Sequence, residues 1–176
     1  MLPIVATFKT PLGLFEVSFD EQHVFSASFA GFQPHDACSS LELNMPEQPA
    51  HIAPGIQRFY QYVKEELNAY FKNSQHRLQI PLKPSGTSFQ LHIWNSLLVI
   101  PAGRTITYGE LALRMQTSPR AVGQACKKNP LPLFIPCHRV VGKADYGGYM
   151  GSKIALQYKL ALLKHEGSLA SLNYCA

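Results

Sequence analysis

The sequence predicts an α+β protein built as two halves. Apolar and polar residues alternate in the first part of the chain, which is typical of half-buried strands. From Ile56 the apolar spacing changes to a helical period, which indicates an amphipathic helix. Helix-capping patterns follow in the later part of the chain. We therefore expect an N-terminal α/β half over residues 1–84, with a small antiparallel sheet and one long helix, and a helical half over residues 85–176.

Composition and charge narrow the class of protein. The chain has 176 residues, of which 46% are hydrophobic and 15% are charged, and these values exclude a disordered chain. Residues 1–80 carry five Lys or Arg against eight Asp or Glu, whereas residues 81–176 carry eleven Lys or Arg against three Asp or Glu. The basic half is therefore where a polyanion would bind, and a solvated basic face without a nucleic-acid partner is the alternative.

The N-terminal half begins with two alternating segments, residues 14–19 and 24–29, which predict a β-hairpin. Residues 31–54 show no clear period and are rich in Pro, Ser, Asp and Glu, so we expect a connecting loop there. A short strand is expected at 77–82, before a linker that contains prolines and a glycine. The apolar face of the intervening helix comprises Ile56, Phe59, Tyr60, Val63, Leu67, Tyr70 and Phe71.

Two helices are expected directly after the linker. The first has its N-cap at Thr87 or Ser88 and ends near residues 100–103. The second begins with a capping box formed by Thr107 and Glu110. The residues expected to face inward on the first helix are Phe89, Ile93, Trp94, Leu97 and Leu98, and the second helix continues through Leu111, Ala112 and Met115.

A third helix has Ser118 as its N-cap and Pro119 at its first position, and it runs to about Lys128. The tight turn before it gives the second and third helices the pattern of a helix-turn-helix, and an ordinary helical corner is the alternative. Gly123 removes a side chain at a point where the backbone could approach a ligand. The polar residues of this helix are Arg120, Gln124, Lys127 and Lys128.

The most informative segment is residues 129–141, in which three prolines precede Cys137 and His138. Prolines impose an extended, rigid path on the chain. A thiol attacks as its thiolate, and a nearby imidazole is the expected means of activating it, so Cys137 is the candidate nucleophile. Neighbouring side chains on an extended chain point to opposite faces, so Cys137 and His138 need a bend or a bridging water to cooperate. A buried structural thiol is the alternative for Cys137.

No metal site and no membrane segment are expected. The four cysteines form no CxxC pair, and an adjacent Cys-His pair does not easily present two ligands to one ion. The N-terminus lacks a signal-peptide pattern, and no apolar stretch approaches the roughly 20 residues that span a bilayer. These features predict a cytoplasmic protein. The cysteines are Cys38, Cys126, Cys137 and Cys175, and the irregularly placed histidines of the N-terminal half are His23, His35 and His51.

An ordered set of motifs runs through nearly all of the basic half. It comprises Phe89, Trp94, Ile100-Pro101-Ala102-Gly103, Thr107-Tyr108-Gly109, Arg120-Ala121-Val122-Gly123, Asn129-Pro130, PCHRV at 136–140, Gly148-Tyr149, Gly151 and His165-Glu166-Gly167. In these motifs, residues 89–166 resemble the O6-alkylguanine-DNA alkyltransferases, also called methylated-DNA–protein-cysteine methyltransferases. The resemblance implies a ribonuclease-H-like N-terminal half and a helix-turn-helix in the C-terminal half.

The resemblance also implies a DNA-repair reaction. An alkyl group, such as methyl, would move irreversibly from the O6 atom of guanine to Cys137, with O4-alkylthymine as a further candidate substrate. His138 would relay the thiol proton through water toward Glu166, Tyr108 would donate a hydrogen bond to the guanine, and Asn129 would hold the active-site turn. Each molecule would act once, and no metal or diffusible cofactor is implied.

The implied partner is double-stranded DNA that contains O6-alkylguanine, bound on its minor-groove side by a monomer. The damaged nucleotide would be flipped out of the duplex, and Arg120 would fill the gap. The other implied DNA-binding residues are Ala121, Gly123, Lys127 and Lys128, with solvated lysines at a helix end as the alternative for the last two. The implied substrate pocket comprises Trp94, Pro132, Val140, Tyr149, Met150 and Gly151.

Three other function classes compete with alkyl transfer. Alkyltransferase-like proteins are lesion-binding modules that share these motifs but lack the acceptor cysteine, so the presence of Cys137 argues against them. A cysteine hydrolase would need an oxyanion hole, for which the sequence offers no signal. A helix-turn-helix regulator would read bases with long polar side chains, whereas Ala121, Val122 and Gly123 are short or apolar.

Overall fold

Three strands and one long helix make up the N-terminal part of the protein. The computed structural model describes residues 3–32, 53–143, 145–149 and 155–168. Contacts between Cα atoms divide the chain into two units, Met1–Ser85 and Gly86–Ala176. The first unit contains a small antiparallel sheet and a long helix, and the second is mainly helical. The α+β class expected from the sequence is confirmed at this level.

The sheet has three antiparallel strands in the order β1 (Ile4–Thr10), β2 (Gly13–Phe19) and β3 (Val24–Phe32). The expected hairpin is confirmed as β2 and β3. β1 adds a strand that the expected hairpin does not include, because two of its three inward residues are the small Ala6 and the polar Thr10, which weaken its alternation. The β1–β2 turn ends at Gly13, whose φ of 113° a side chain would strain.

Helix α1 (Pro54–Lys72) packs against the sheet through aromatic rings. Phe8 and Tyr60 stack with their centroids 5.1 Å apart, and the centroids of Phe19 and Phe59 lie 5.8 Å apart. The predicted apolar face of α1 is confirmed except at Phe71, which is only half-buried. The buried residues of α1 are Ile56, Phe59, Tyr60, Val63, Leu67 and Tyr70. These contacts give the first unit its own core.

The strand expected at 77–82 does not form, so that prediction is wrong. Only Leu82 pairs, through a parallel bridge with Val24. Val24 N donates to Pro81 O at 2.9 Å, and Lys83 N donates to Val24 O at 2.8 Å. Because Pro81 has no N–H group to donate to a ladder, the segment cannot pair continuously.

Three helices of the C-terminal unit begin where the capping residues predict. Thr87 Oγ1 accepts a hydrogen bond from Gln90 N, and Thr107 with Glu110 forms the expected capping box. Ser118 Oγ accepts from Ala121 N at 3.2 Å. Each cap satisfies a backbone N–H that has no partner within its helix. These three helices are α2 (Ser88–Leu97), α3 (Tyr108–Arg114) and α4 (Pro119–Lys127), and α5 (Leu156–His165) follows them.

The inward face of α2 is smaller than expected. Ile93, Trp94 and Leu97 are buried, but Phe89 is 41% exposed and Leu98 is half-buried. Phe89 lies in the first turn of α2, before the buried part of the helix begins. The expectation that Phe89 faces the core is therefore wrong.

The C-terminal unit is not all-helical. Strand β4 (Ile106–Thr107) pairs in parallel with β5 (Val140–Val141), Ile106 opposite Val140 and Thr107 opposite Val141. The β-branched residues at these positions favour an extended chain. β4 leads directly into α3, and β5 follows the turn that carries Cys137, so this short pair brings the two segments together.

Several expectations concern residues that lie outside the described ranges. Of the loop expected at 31–54, residues 31 and 32 belong to β3 and residue 54 belongs to α1. Residues 33–52 lie outside the described ranges. Cys38 and Cys175 are also outside them. Among the residues described, the protein has no helix that combines the length and the apolar character needed to cross a membrane.

The sheet provides a matched test of core packing. Val17 on β2 is fully buried, whereas Val5 on β1 is 58% exposed. We expect Val17→Ala to lower the free energy of unfolding by about 2 kcal/mol, because it removes buried methyl groups and leaves a cavity. Val5→Ala should change it by less than about 0.5 kcal/mol. Urea unfolding of both variants measures the difference, and equal effects would contradict this assignment of the core.

Candidate functional site

A single amide side chain shapes the segment between α4 and Cys137. Asn129 Oδ1 accepts a hydrogen bond from Leu131 N at 3.0 Å, and its Nδ2 donates to Ile135 O at 2.9 Å. The same Nδ2 donates to Cys137 Sγ at 3.2 Å. Asn129 is buried, so these bonds replace the ones that its amide would make with water. Asn129 thus joins both sides of the segment and reaches the candidate nucleophile.

The same segment contains an unusual backbone conformation. Leu133 has a φ of 74°, which costs a residue with a side chain about 1–2 kcal/mol. Its side chain is almost fully buried, and burial of that size offsets such a cost. The chain then enters a 3-10 turn, Cys137–Arg139. This turn is the bend that cooperation between Cys137 and His138 requires.

Cys137 lies at a cavity of about 430 Å³. The thiol residue is only 3% exposed, so the cavity is its route to a reaction partner. The cavity is large enough for a small ring compound, and such sites usually have apolar walls with few polar groups. Its lining residues are Tyr108, Pro119, Arg120, Gly123, Cys126, Lys127, Cys137, Gly148 and Tyr149.

The two cysteines at this cavity differ in their surroundings. Burial raises the pKa of Cys137, while the Asn129 hydrogen bond and the charge of Lys159 oppose that rise. Burial raises the pKa of Cys126 to about 12. Since hydrogen bonding to a thiolate stabilises it, the Asn129 amide favours Cys137 as the nucleophile.

A buried carboxylate, that of Glu166, pairs with two side chains of the turn that begins with Cys137. Glu166 is 2% exposed, and its Oε1 lies 3.0 Å from His138 Nε2. Arg139 Nε donates to Glu166 Oε2 at 3.0 Å, and Arg139 Nη2 donates to Oε1 at 2.8 Å. Burial acts to raise the pKa of Glu166, but His138 and Arg139 lower it below the ordinary value of a glutamate. Burial also lowers the pKa of His138, although Glu166 opposes this.

Lys159 is a buried site residue that the sequence analysis misses. It is 0% exposed, and its Nζ donates to Val140 O at 2.7 Å and to Gly148 O at 3.2 Å. Burial lowers the pKa of Lys159 to about 8. The sequence does contain one indication of its burial: Lys159 lies three and four residues before the buried Leu162 and Leu163 and therefore on the same face of α5. Arg139 is missed as a separate functional residue because it stands inside the PCHRV motif.

Tyr108 forms part of the cavity wall and lies near Lys159. Lys159 Nζ lies 5.6 Å from the centre of the Tyr108 ring, and the Tyr108 hydroxyl donates to Gly148 O at 3.4 Å. Burial raises the pKa of Tyr108 above its ordinary value, so the hydroxyl stays protonated and can donate. Gly147 has a φ of 67°, and a Cβ there would lie 2.7 Å from the ring, so this position requires glycine.

The expected DNA-binding residues lie along α4. Arg120 is exposed in the first turn, and Lys127 is exposed in the last turn, and both line the cavity. Gly123 lines it between them. Ala121 is half-buried and Lys128 is exposed, and neither is among the lining residues. The cavity that holds Cys137 therefore opens beside two of the expected cationic groups.

The expected pocket residues divide into three groups. Tyr149 lines the cavity. Trp94, Pro132 and Val140 are buried but are not among the lining residues, and Trp94 Nε1 donates to Ala125 O at 2.9 Å, which joins α2 to α4. Met150 and Gly151 lie outside the described residues.

The described residues contain no group of three or more His, Cys, Asp or Glu side chains arranged to hold a metal ion. The two cysteines among them, Cys126 and Cys137, are free thiols. His35 and His51 lie outside the described ranges, so the statement does not extend to them.

Comparisons with known proteins give a consistent result. The family described as "6-O-methylguanine DNA methyltransferase, DNA binding domain" matches residues 88–168. A methylated-DNA–protein-cysteine methyltransferase of Methanosarcina acetivorans is 33% identical over 165 residues, which are 93% of this chain and 97% of that protein. The match thus extends well beyond the segment that carries the motifs.

Solved structures show the same likeness. The crystal structure of Mycobacterium tuberculosis OGT in complex with DNA superposes with a TM-score of 0.69 at 30% identity, over 93% of each chain. The O6-methylguanine-DNA methyltransferase from the archaeon Pyrococcus kodakaraensis strain KOD1 superposes with a TM-score of 0.57 at 25% identity, over 93% of this chain and 98% of that one.

The position of Lys159 predicts an effect on thiol reactivity. Its ammonium favours the Cys137 thiolate, so Lys159→Met should raise the pKa of Cys137 and move the pH dependence of its labelling to higher pH by about one unit. Lys159→Arg, which keeps the charge, should move it less. Iodoacetamide labelling followed by peptide mass spectrometry measures the rate at each pH.

The exposed Lys164 on the same helix provides the control for this test. Lys164→Met makes the same change in charge at a solvated position, and it should leave the labelling curve of Cys137 in place. A Lys159→Met curve that coincides with the wild-type curve would show that the buried ammonium does not act on the thiol.

Proposed function

The chain belongs to the methylated-DNA–protein-cysteine methyltransferase family, and from this we propose that Cys137 is its alkyl acceptor. The protein repairs DNA by transferring an alkyl group from O6-alkylguanine to one of its own cysteines. The observation that carries the assignment is that Cys137 lines the cavity and also receives the Asn129 hydrogen bond. Cys126 lines the same cavity, but burial raises its pKa to about 12, which disfavours its thiolate.

The reaction is a displacement at saturated carbon. The Cys137 sulfur forms a bond to the alkyl carbon while the bond between that carbon and guanine O6 breaks. The guanine is the leaving group, and it takes a proton from solvent to become the normal base. The thioether that remains on Cys137 has no easy route back, so each molecule acts once.

The thiol proton leaves toward His138. The 3-10 turn places the two residues on a bend, and we propose that a water molecule carries the proton from Cys137 to the imidazole. Glu166 Oε1 lies 3.0 Å from His138 Nε2, and we propose that it completes a Cys-His-Glu network. The carboxylate orients the ring and stabilises its charged form.

Tyr108 is the proposed donor to the departing guanine. It is part of the cavity wall, and its hydroxyl stays protonated because burial raises its pKa. Tyr149 forms another part of the wall. We propose that the flipped base lies between these groups, with Met150 and Gly151 in the loop that encloses it.

DNA binding is assigned to α3 and α4, which we propose act as a helix-turn-helix on the minor-groove side of the duplex. Arg120 would occupy the space of the flipped nucleotide, and Ala121 and Gly123 would allow close approach. A Cβ at Gly123 would lie 3.9 Å from the nearest other atom, Tyr108 Cε1, so the protein itself does not require glycine there. Lys127 and Lys128 are exposed and are assigned to phosphate contacts.

The remaining parts of the proposal come from the family resemblance. The N-terminal unit is assigned the ribonuclease-H-like architecture, with the N-terminal domain at 1–84 and the alkyltransferase domain at 85–176. The protein is proposed to act as a monomer in the cytoplasm, without a metal or diffusible cofactor. O4-alkylthymine is a second candidate substrate.

The acceptor assignment predicts a change in mass. After mixing with excess duplex DNA that contains O6-methylguanine, the protein should gain the mass of one CH2 group and then stop, because the thioether is stable. Cys137→Ala should gain nothing, whereas Cys126→Ala should still gain one CH2 group. Intact-protein mass spectrometry measures all three.

Two other outcomes of this experiment have definite meanings. A gain in Cys137→Ala that disappears in Cys126→Ala would move the acceptor to the second cysteine. No gain in any variant, together with selective binding to the lesion, would make the protein a lesion-binding module.

The role of Arg120 predicts a difference between two substrates. Arg120→Ala should slow transfer from duplex DNA by ~10-fold or more, because the flipped-out state loses the side chain that fills the stack. It should leave transfer from the free base O6-benzylguanine almost unchanged, since no duplex has to open. Single-turnover rates with each substrate measure this.

Arg58→Ala is the matched control, because Arg58 is an exposed arginine on α1. Its rate with duplex DNA should equal that of the wild type. If Arg120→Ala slows both substrates equally, Arg120 supports the cavity itself and not the opening of the duplex.

A further inference from the structure

Arg139 makes more polar contacts than a simple ion pair requires. Its Nε and Nη2 donate to the two oxygens of Glu166, and its Nη1 donates to Ile100 O. This is the two-point geometry that guanidinium groups form with carboxylates. Arg139 is only 12% exposed in its side chain and Glu166 is 0% exposed, so solvent screens the pair weakly.

The ion pair between Glu166 and Arg139 determines which ring nitrogen of His138 carries the hydrogen. Because Glu166 is held ionised, it can only accept hydrogen bonds, and His138 Nε2 at 3.0 Å must therefore donate. In the neutral ring the lone pair is then on Nδ1. That atom is buried and has no hydrogen-bond partner among the described residues. Nδ1 is thus the free basic atom of the ring.

The charged groups around His138 act in opposite directions. Glu166 favours the imidazolium form, whereas Arg139 in the same turn and Lys159 on α5 disfavour it. Cys137 precedes His138 in the turn. Helix α2 also packs against the turn, and its one ionisable residue, His92, has an exposed side chain. Of these two cations, Arg139 is the one that donates hydrogen bonds to both oxygens of Glu166.

We infer that Arg139 is a positioning residue: its two-point contact fixes the Glu166 carboxylate against His138, and its charge offsets that of the carboxylate, so that His138 stays neutral before the reaction with Nδ1 free to take the thiol proton. The inference rests on the proposed role of Cys137 and goes beyond it. As proposed above, the thiol proton passes from Cys137 through water to the imidazole, and Glu166 remains ionised throughout.

The test removes the charge of Arg139 and follows the pKa of His138 directly. In Arg139→Gln, the carboxylate loses its partner cation, and the pKa of His138 should rise by about one unit or more. NMR titration of the His138 imidazole in a Cys137→Ala background measures this without any transfer reaction. In the full-length protein with Cys137 intact, the acid limb of the transfer rate should move to higher pH by the same amount.

The conservative variant separates charge from structure. Arg139→Lys keeps the cation but loses the two-point contact, so it should lower the transfer rate while leaving the pKa of His138 close to the wild-type value. Arg58→Gln makes the same change in charge as Arg139→Gln at an exposed position on α1, and it should change neither quantity.

Each result bears on one claim. An unchanged pKa of His138 in Arg139→Gln overturns the inference, because a purely structural role predicts that outcome. If Arg139→Gln does not fold, Arg139→Lys decides: a pKa of His138 that has moved by about one unit despite the retained charge overturns the inference. If the pKa of His138 moves as expected but the wild type never gains a CH2 group, the proposed function fails and the role of Arg139 stands.

Discussion

The carboxylate of Glu166 is buried, and its contacts with His138 and Arg139 hold the 3-10 turn Cys137–Arg139 in place. Glu166 ends α5, while His138 and Arg139 belong to the turn that begins with Cys137. Arg139 also donates to Ile100 O, just beyond α2. One buried charge therefore joins the ends of two helices to the turn. Loss of a partner of such a buried charge costs about 3–5 kcal/mol, so these segments are held in one arrangement.

A second buried charge, that of Lys159, also acts on Cys137. The ammonium of Lys159 is satisfied by the carbonyls of Val140 and Gly148, so it joins α5 to β5 and to the loop that forms part of the cavity wall. Cys137 is itself buried, and the charge of this ammonium acts on its thiol. Burial favours the protonated thiol, and the Asn129 amide and the ammonium favour the thiolate. By favouring the protonated thiol, burial also limits its oxidation, since oxidants attack the thiolate.

The short parallel pair of β4 and β5 has an importance beyond its two residues per strand. It places the start of α3, with Tyr108, beside the turn that carries Cys137. Tyr108 and Cys137 then line one cavity, although they belong to different segments. Lys159 also connects α3 to β5, because its Nζ lies near the Tyr108 ring and donates to Val140 O. Fixed backbone pairing is a better means of positioning reacting groups than flexible side chains alone.

The sequence by itself determines the features that depend on neighbours a few residues away. The caps at Thr87, Thr107 and Ser118 and the apolar face of α1 are local patterns, and the structure confirms them. The motifs around Cys137 are also local, and they identify the family without any coordinates. The features that only the tertiary structure decides are β1, the bridge at Leu82, the exposure of Phe89, the β4–β5 pair and the buried contacts of Arg139 and Lys159. These depend on contacts between distant parts of the chain, as for Arg139 and Glu166, which are 27 residues apart. A charged residue looks the same in the sequence whether its side chain is solvated or buried. Whether it is buried is decided only when α5 packs against the 3-10 turn Cys137–Arg139.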